Sequence, residues 1–146
     1  MTDVADATSM SEVGTVFVPV TDQDRAVAFY LDKLGFEKRA DFTYKQGRRW
    51  VEVAPPGSSN VIALVPSSER HSVGGDETLC AFTTDNLEAD HAALRERGVD
   101  VDAEIARPEP RRRGAVSMDI AMRAPIPPQF FFRDLDGNRF LIIEQL

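Results

Sequence analysis

Chemistry needs reactive or ligating side chains, and this chain carries few of the versatile ones. It has two histidines, His71 and His91, and one thiol, Cys80. A thiolate nucleophile needs an activating base, and neither histidine falls where the sequence sets it beside Cys80. Cys80 lies inside the apolar run LCAF and reads as a small buried hydrophobe. His71 sits in a polar stretch and reads as solvated, while His91 falls within a helical pattern and reads as packed or surface-exposed. Carboxylates are plentiful, yet no pair stands out for joint acid and base work. Glu52, in WVEVAPPG, is the one whose strand position could aim it inward as an acid or base, with Asp119 as a second candidate. No glycine-rich phosphate loop is present. Trp50, Phe130 and Phe132 could supply aromatic surface for a flat ligand, and a plain core explains any one of them about as well. No residue can be assigned a catalytic role on this basis.

The elements that must position these residues come in two copies. TDQDRAVAFYLDKLGF opens at Thr21 and TDNLEADHAALRERGV opens at Thr84, 63 residues later (84 − 21). The terminal glycines, Gly35 and Gly98, keep that spacing, and so does the match of Asp22 with Asp85. Each copy follows an apolar strand, VFVPV or LCAF, and each reads as strand, cap, helix and then a glycine suited to a left-handed cap. Thr21, Asp22 or Asp24 can cap the first helix, whose Ala26, Phe29, Tyr30 and Leu34 recur at helical spacing. Turn signals at Gln46-Gly47 and Pro55-Pro56-Gly57 then divide three strand-like runs. The second copy continues through VDVDAEIA, AVSMDIAM, PQFFFRD, the tight turn Asp134–Asn138 and RFLIIEQL, with PIPP at 125–128 as a rigid lip. The reading is therefore α+β: two pseudo-symmetric βαβββ modules whose curled mixed sheets, with helices outside, surround a shared cavity. Residues 1–12 form a flexible tail, and a single domain spans 13–146. Module one covers 13–66, a linker 67–77, and module two 78–146.

Composition narrows the partners. The chain of 146 residues is 42% hydrophobic and 28% charged, ordinary for a globular domain able to bury a core. Its formal charge of −7 argues against nucleic acid, whose phosphates require a basic surface. Small molecules, neutral or cationic, fit better. The local basic cluster RPEPRRRG, 107–114, reads as a solvated loop. One cysteine excludes an intrachain disulfide and fits a reducing cytoplasm. The acidic N-terminal stretch has the wrong charge for a signal peptide, and no run reaches the ~18 apolar residues of a membrane span.

Three stretches, VTDQDRAVAFYLDKLGF, TTDNLEADHAALRERGV and FFFRDLDGNRFLIIE, resemble the vicinal oxygen chelate superfamily. That superfamily includes glyoxalase I, bleomycin-resistance proteins, extradiol dioxygenases and fosfomycin-resistance enzymes. The resemblance covers roughly 13–146 and is most specific in the closing turn and strand. Metal-dependent relatives chelate a divalent ion through four inward side chains, mostly His and Glu. The matching positions here are Thr15, Ala63, Thr78 and Leu141. A hydroxyl is a weak donor, and Ala and Leu offer none, so the resemblance implies a fold without its usual metal site or cofactor. Glu144 is no substitute, since it falls on the strand face opposite Leu141. The same four positions would still face the cavity, with Phe17 and Cys80 two residues further along their strands. The expected ligand-binding set is thus Thr15, Phe17, Trp50, Glu52, Ala63, Thr78, Cys80, Phe130, Phe132 and Leu141. The resemblance implies a cytoplasmic homodimer that binds a small molecule without metal, as the drug-sequestering antibiotic-resistance branch does. The alternative it leaves open is a lyase, isomerase or dioxygenase with unusual metal donors or metal-free acid/base chemistry. A third is a regulatory or structural partner that has kept the fold and lost the chemistry.

Overall fold

A computed structural model describes residues 8–107 and 127–145. The expected strand AVSMDIAM, Asp119, most of the basic cluster, the first half of PIPP and residues 1–7 of the expected tail lie outside the described residues.

Module one runs β1 (Thr15–Val20), α1 (Gln23–Asp32), β2 (Glu37–Tyr44), β3 (Arg48–Ala54) and β4 (Val61–Pro66). Module two runs β5 (Thr78–Thr84), α2 (Leu87–Glu96), β6 (Asp100–Val101), β7 (Gln129–Arg133) and β8 (Arg139–Glu144). The strand orders are β1-β4-β3-β2 and β5-β8-β7-β6, the same arrangement twice. In each, the first strand pairs in parallel with the last, and the remaining neighbours pair antiparallel. The α+β class and the curled, unclosed mixed sheets agree with the sequence reading.

Alternation along the strands decides which face is buried. Val18, Val20, Val51, Val53, Ile62 and Leu64 of the first sheet point to its helix-bearing face. Phe130, Phe132, Phe140 and Ile142 do the same in the second. Both sets belong to one core with Ala26 and Tyr30 of α1 and Leu87 and Leu94 of α2. The rings confirm the direction of packing: Tyr30 meets Phe140 at 6.4 Å and Phe36 meets Phe82 at 5.4 Å, each pair spanning the two modules. The modules therefore join through their helix-bearing faces. The opposite sheet faces, which carry Thr15 and Phe17 in β1 and Leu141 in β8, point away from that core.

Polar groups seal the same junction. Tyr30 Oη donates to Asp134 Oδ2 at 2.6 Å, and Asn138 Nδ2 donates to Pro19 O at 2.8 Å and to Asp134 Oδ2 at 3.0 Å. Burial pushes the Asp134 carboxyl above its ordinary range and the Tyr30 phenol well above its own. Lys33 Nζ donates to Arg97 O, and Arg97 returns a bond to Lys33 O, both at 2.9 Å.

The repeat is less regular than its sequence. A bulge between Thr78 and Cys80 adds one residue to β5. Asp22 caps α1, but the cap of α2 is Asn86, a spacing of 64 (86 − 22). The helices keep that offset: Lys33 N–H bonds Phe29 O, and Arg97 N–H bonds Ala93 O. Only the residue missing between Arg97 and Gly98 restores 63.

Candidate functional site

The outer face of module one is built by β-sheet parity. Because Val51 and Val53 turn inward, Trp50 and Glu52 turn outward, and Thr15 and Phe17 do so because Val18 and Val20 do not. Cross-strand register then assembles a row. Phe17 lies beside Ala63, Ala63 beside Glu52, and Trp50 beside Phe42. Tyr44, two residues on from Phe42, pairs with Arg48. Phe17 meets Trp50 edge to face at 5.9 Å and Tyr44 meets it at 6.4 Å. Phe17, Phe42 and Tyr44 remain 50%, 53% and 40% exposed, far above what core aromatics show. Ala63 is fully buried beneath this cluster. Trp50 Nε1 donates to Glu52 Oε2 at 2.8 Å, which holds a carboxylate at the edge of the aromatic patch. Glu52 Oε1 makes no hydrogen bond among the described residues.

Phe42 and Tyr44 were not read from the sequence as site residues. The signal was present: the turn at Gln46-Gly47 pairs position 42 with 50 and 44 with 48. Gln46 takes a left-handed φ of 60°, which closes that hairpin tightly.

Module two presents a different outer face. Leu141 lies there, but its cross-strand partner is Phe131, not Phe130 or Phe132. Phe130 and Phe132 are buried in the core at 0% and 2% exposure, so the expectation that they line the ligand site is corrected by one residue. Counting outward from the Asp134–Asn138 turn gives the right phase, since Arg133 pairs with Arg139. The Arg139 guanidinium lies 3.7 Å above the Phe131 ring. Cys80 is also displaced. The bulge after Thr78 reverses strand parity, so Cys80 packs against the core instead of sharing the face of Thr78. Burial pushes its thiol up to about 11, which keeps it protonated and unreactive at neutral pH.

The donor set does not fit the ion that metal-dependent relatives hold. Thr15, Ala63, Thr78 and Leu141 supply no imidazole, thiolate or carboxylate. Thr15 and Thr78 also stand on separate sheets whose outer faces do not meet within one chain. Among the described residues, no three His, Cys, Asp or Glu side chains converge. His91 is committed elsewhere, its Nε2 donating to Asp102 O at 2.8 Å and its ring edge-on to Phe130. His71 stands in a turn in which its backbone N–H bonds Ser68. No helix among the described residues is long and apolar enough to cross a membrane.

Known proteins share this architecture and sequence. TnmS3, an antibiotic binding protein from Streptomyces sp. CB03234, is 31% identical, with 96% of this chain and all of that chain covered at a TM-score of 0.72. A glyoxalase/bleomycin resistance protein from the same organism is 33% identical over 89% of this chain and 98% of its own, with a TM-score of 0.65. The Bacillus subtilis protein YetH, itself uncharacterized, is 25% identical over 135 residues, which is 92% of this chain and 99% of YetH. The family model matches residues 12–142. With the duplicated module, the matching topology and that span together, the chain belongs to the Glyoxalase/Bleomycin resistance protein/Dioxygenase superfamily.

Proposed function

We propose that this protein is a metal-independent small-molecule binder that sequesters an aromatic or cationic compound on the outer face of module one. The observation that carries the reading is the exposed rings of Phe17, Phe42 and Tyr44 around the half-buried Trp50, with Glu52 fixed beside it. Exposed aromatic side chains gain more from covering than any other residue type, and a flat ring covers several at once. Glu52 adds a carboxylate that favours a cation or a strong donor at the rim of that ring. The net charge of −7 acts in the same direction at long range. TnmS3, described as an antibiotic binding protein, lends further support.

In this reading the working form is a cytoplasmic homodimer. Among the described residues, both outer faces lie away from the core that joins the modules. A second copy can lay its module-two face, with Phe131, Arg139 and Leu141, over the aromatic face and enclose the ligand.

The single tryptophan gives a direct test, because Trp50 fluorescence reports this face alone. Titration with bleomycin and with planar aromatic cations of the acridine type should change Trp50 emission saturably. Trp50→Ala should weaken binding by about tenfold or more, measured by calorimetry. Glu52→Gln should weaken cationic ligands several-fold and leave neutral aromatic ligands unchanged. No heat and no emission change across the series would remove the proposal.

A further inference from the structure

We infer that the protein has a second, separate binding site: a cavity under α2 that takes a single aromatic ring of phenol size. It holds about 170 Å³. Its walls are apolar and come from both modules: Leu34, Phe36, Phe82, Leu94, Phe132 and Ile142. Thr83, Thr84, Asp90 and Arg97 supply the polar groups of its lining. An enclosed apolar cavity of roughly 150 Å³ holds a benzene ring; this pocket is of similar size and opens to solvent on one side.

The occupant is indicated by the protein's own repeat. With the helix offset of 64, Leu94 stands where α1 has Tyr30, and Ala93 stands where α1 has Phe29. In the first copy, Tyr30 crosses the module junction and its hydroxyl reaches the turn residue Asp134. In the second copy, the facing turn offers Pro55, which lines the cavity with Ala93 and Leu94. Leucine is too short to reach as Tyr30 does, so the space that the Tyr30 phenol fills in one half is left open in the other. The wall rings suit an aromatic guest. Phe36 and Phe82 already meet edge to face at 5.4 Å, and Phe82 stacks on Phe132 at 6.2 Å. A ring inserted here would keep a hydroxyl or similar polar substituent toward Thr84, Asp90 and Arg97. The site uses none of the residues of the Phe17–Trp50 face.

The test is methyl NMR of the full chain during titration with phenol. Leu94 and Ile142 methyl resonances should shift saturably. The same shifts should appear in Trp50→Ala, which removes the outer-face site. Ala93→Phe, which restores the ring of the first copy, should abolish them. Absence of saturable shifts at Leu94 and Ile142 in the unaltered protein would overturn the inference, whether or not the filled variant folds. So would shifts confined to the Trp50 face, or shifts that survive in folded Ala93→Phe.

Discussion

Tyr30 and Leu94 hold the same place in two copies of one unit, and they treat it differently. Tyr30 is fully buried, touches Phe36 and Phe140, and hands a hydrogen bond to Asp134 in the other module. Leu94 is buried too, but it stops short of the opposing turn and leaves a cavity beside Ala93. The outer faces diverge in the same way. Module one pairs β2 with β3 over a long hairpin and displays aromatic rings, whereas β6 contributes two residues and module two displays Arg139 on Phe131. A duplicated backbone thus fixes where side chains point, while single substitutions decide whether a given place is filled, open or sticky. Fold and site are separable within one chain.

The largest effect should come from making the first copy like the second. Tyr30→Leu removes a buried ring and leaves Asp134 without its phenol donor. The loss should be about 3 kcal/mol, read as a lower midpoint in urea unfolding. Tyr30→Phe keeps the ring and isolates the hydrogen bond, and should lose about half of that. If Tyr30→Leu unfolds at the same denaturant concentration as the unaltered protein, the junction is not where the two halves are held.

A second comparison concerns Phe17 and Cys80, which the repeat sets at matching positions and the bulge sends to opposite faces. Phe17 is half exposed, whereas Cys80 is partly buried against the core. The thiolate is the reactive form, and burial raises the Cys80 pKa from 9.0 to about 11. At pH 8 the thiolate fraction is then about a hundredfold below that of an unperturbed thiol. Alkylation by iodoacetamide should be slower by at least that factor, and should rise tenfold per pH unit up to about 11 while the protein stays folded. Rapid labelling at pH 8 would put Cys80 on the open face with Thr78.

Much of this was legible in the residues. Strand-helix repeats, the closing Asp134–Asn138 turn and the lack of His or Glu at positions 15, 63, 78 and 141 all follow from local sequence. Trp50 and Glu52 stand in the phase opposite to the buried Val51 and Val53, and that alternation is present in the sequence. Phe130 and Phe132 were misplaced because three consecutive phenylalanines carry no alternation, so periodicity cannot choose between phases. Cys80 was misplaced because a one-residue bulge leaves no composition signal when its neighbours, Leu79 and Ala81, are both apolar. Which faces of the two modules would meet is a tertiary matter, and apolar residues on both faces of a sheet leave it open.

The bulge also makes the smallest prediction and the cleanest one. A constant spacing of 63 would make Asp85 the helix cap by analogy with Asp22. The structure instead gives the cap to Asn86, whose Oδ1 accepts from Ala89 N at 3.3 Å, as Asp22 Oδ1 accepts from Arg25 N at 3.0 Å. Replacing a capping side chain with alanine costs about 1 kcal/mol, whereas an exposed residue just outside the helix changes stability by less than about half of that. Asn86→Ala and Asp22→Ala should therefore destabilise alike in urea unfolding, and Asp85→Ala should be close to neutral. The longer Asn86 contact places its loss at the weaker end of that range. If Asp85→Ala were the damaging change, the extra residue would lie after the cap and not in β5. Cys80 would then return to the face of Thr78, and the two copies would differ in their side chains alone.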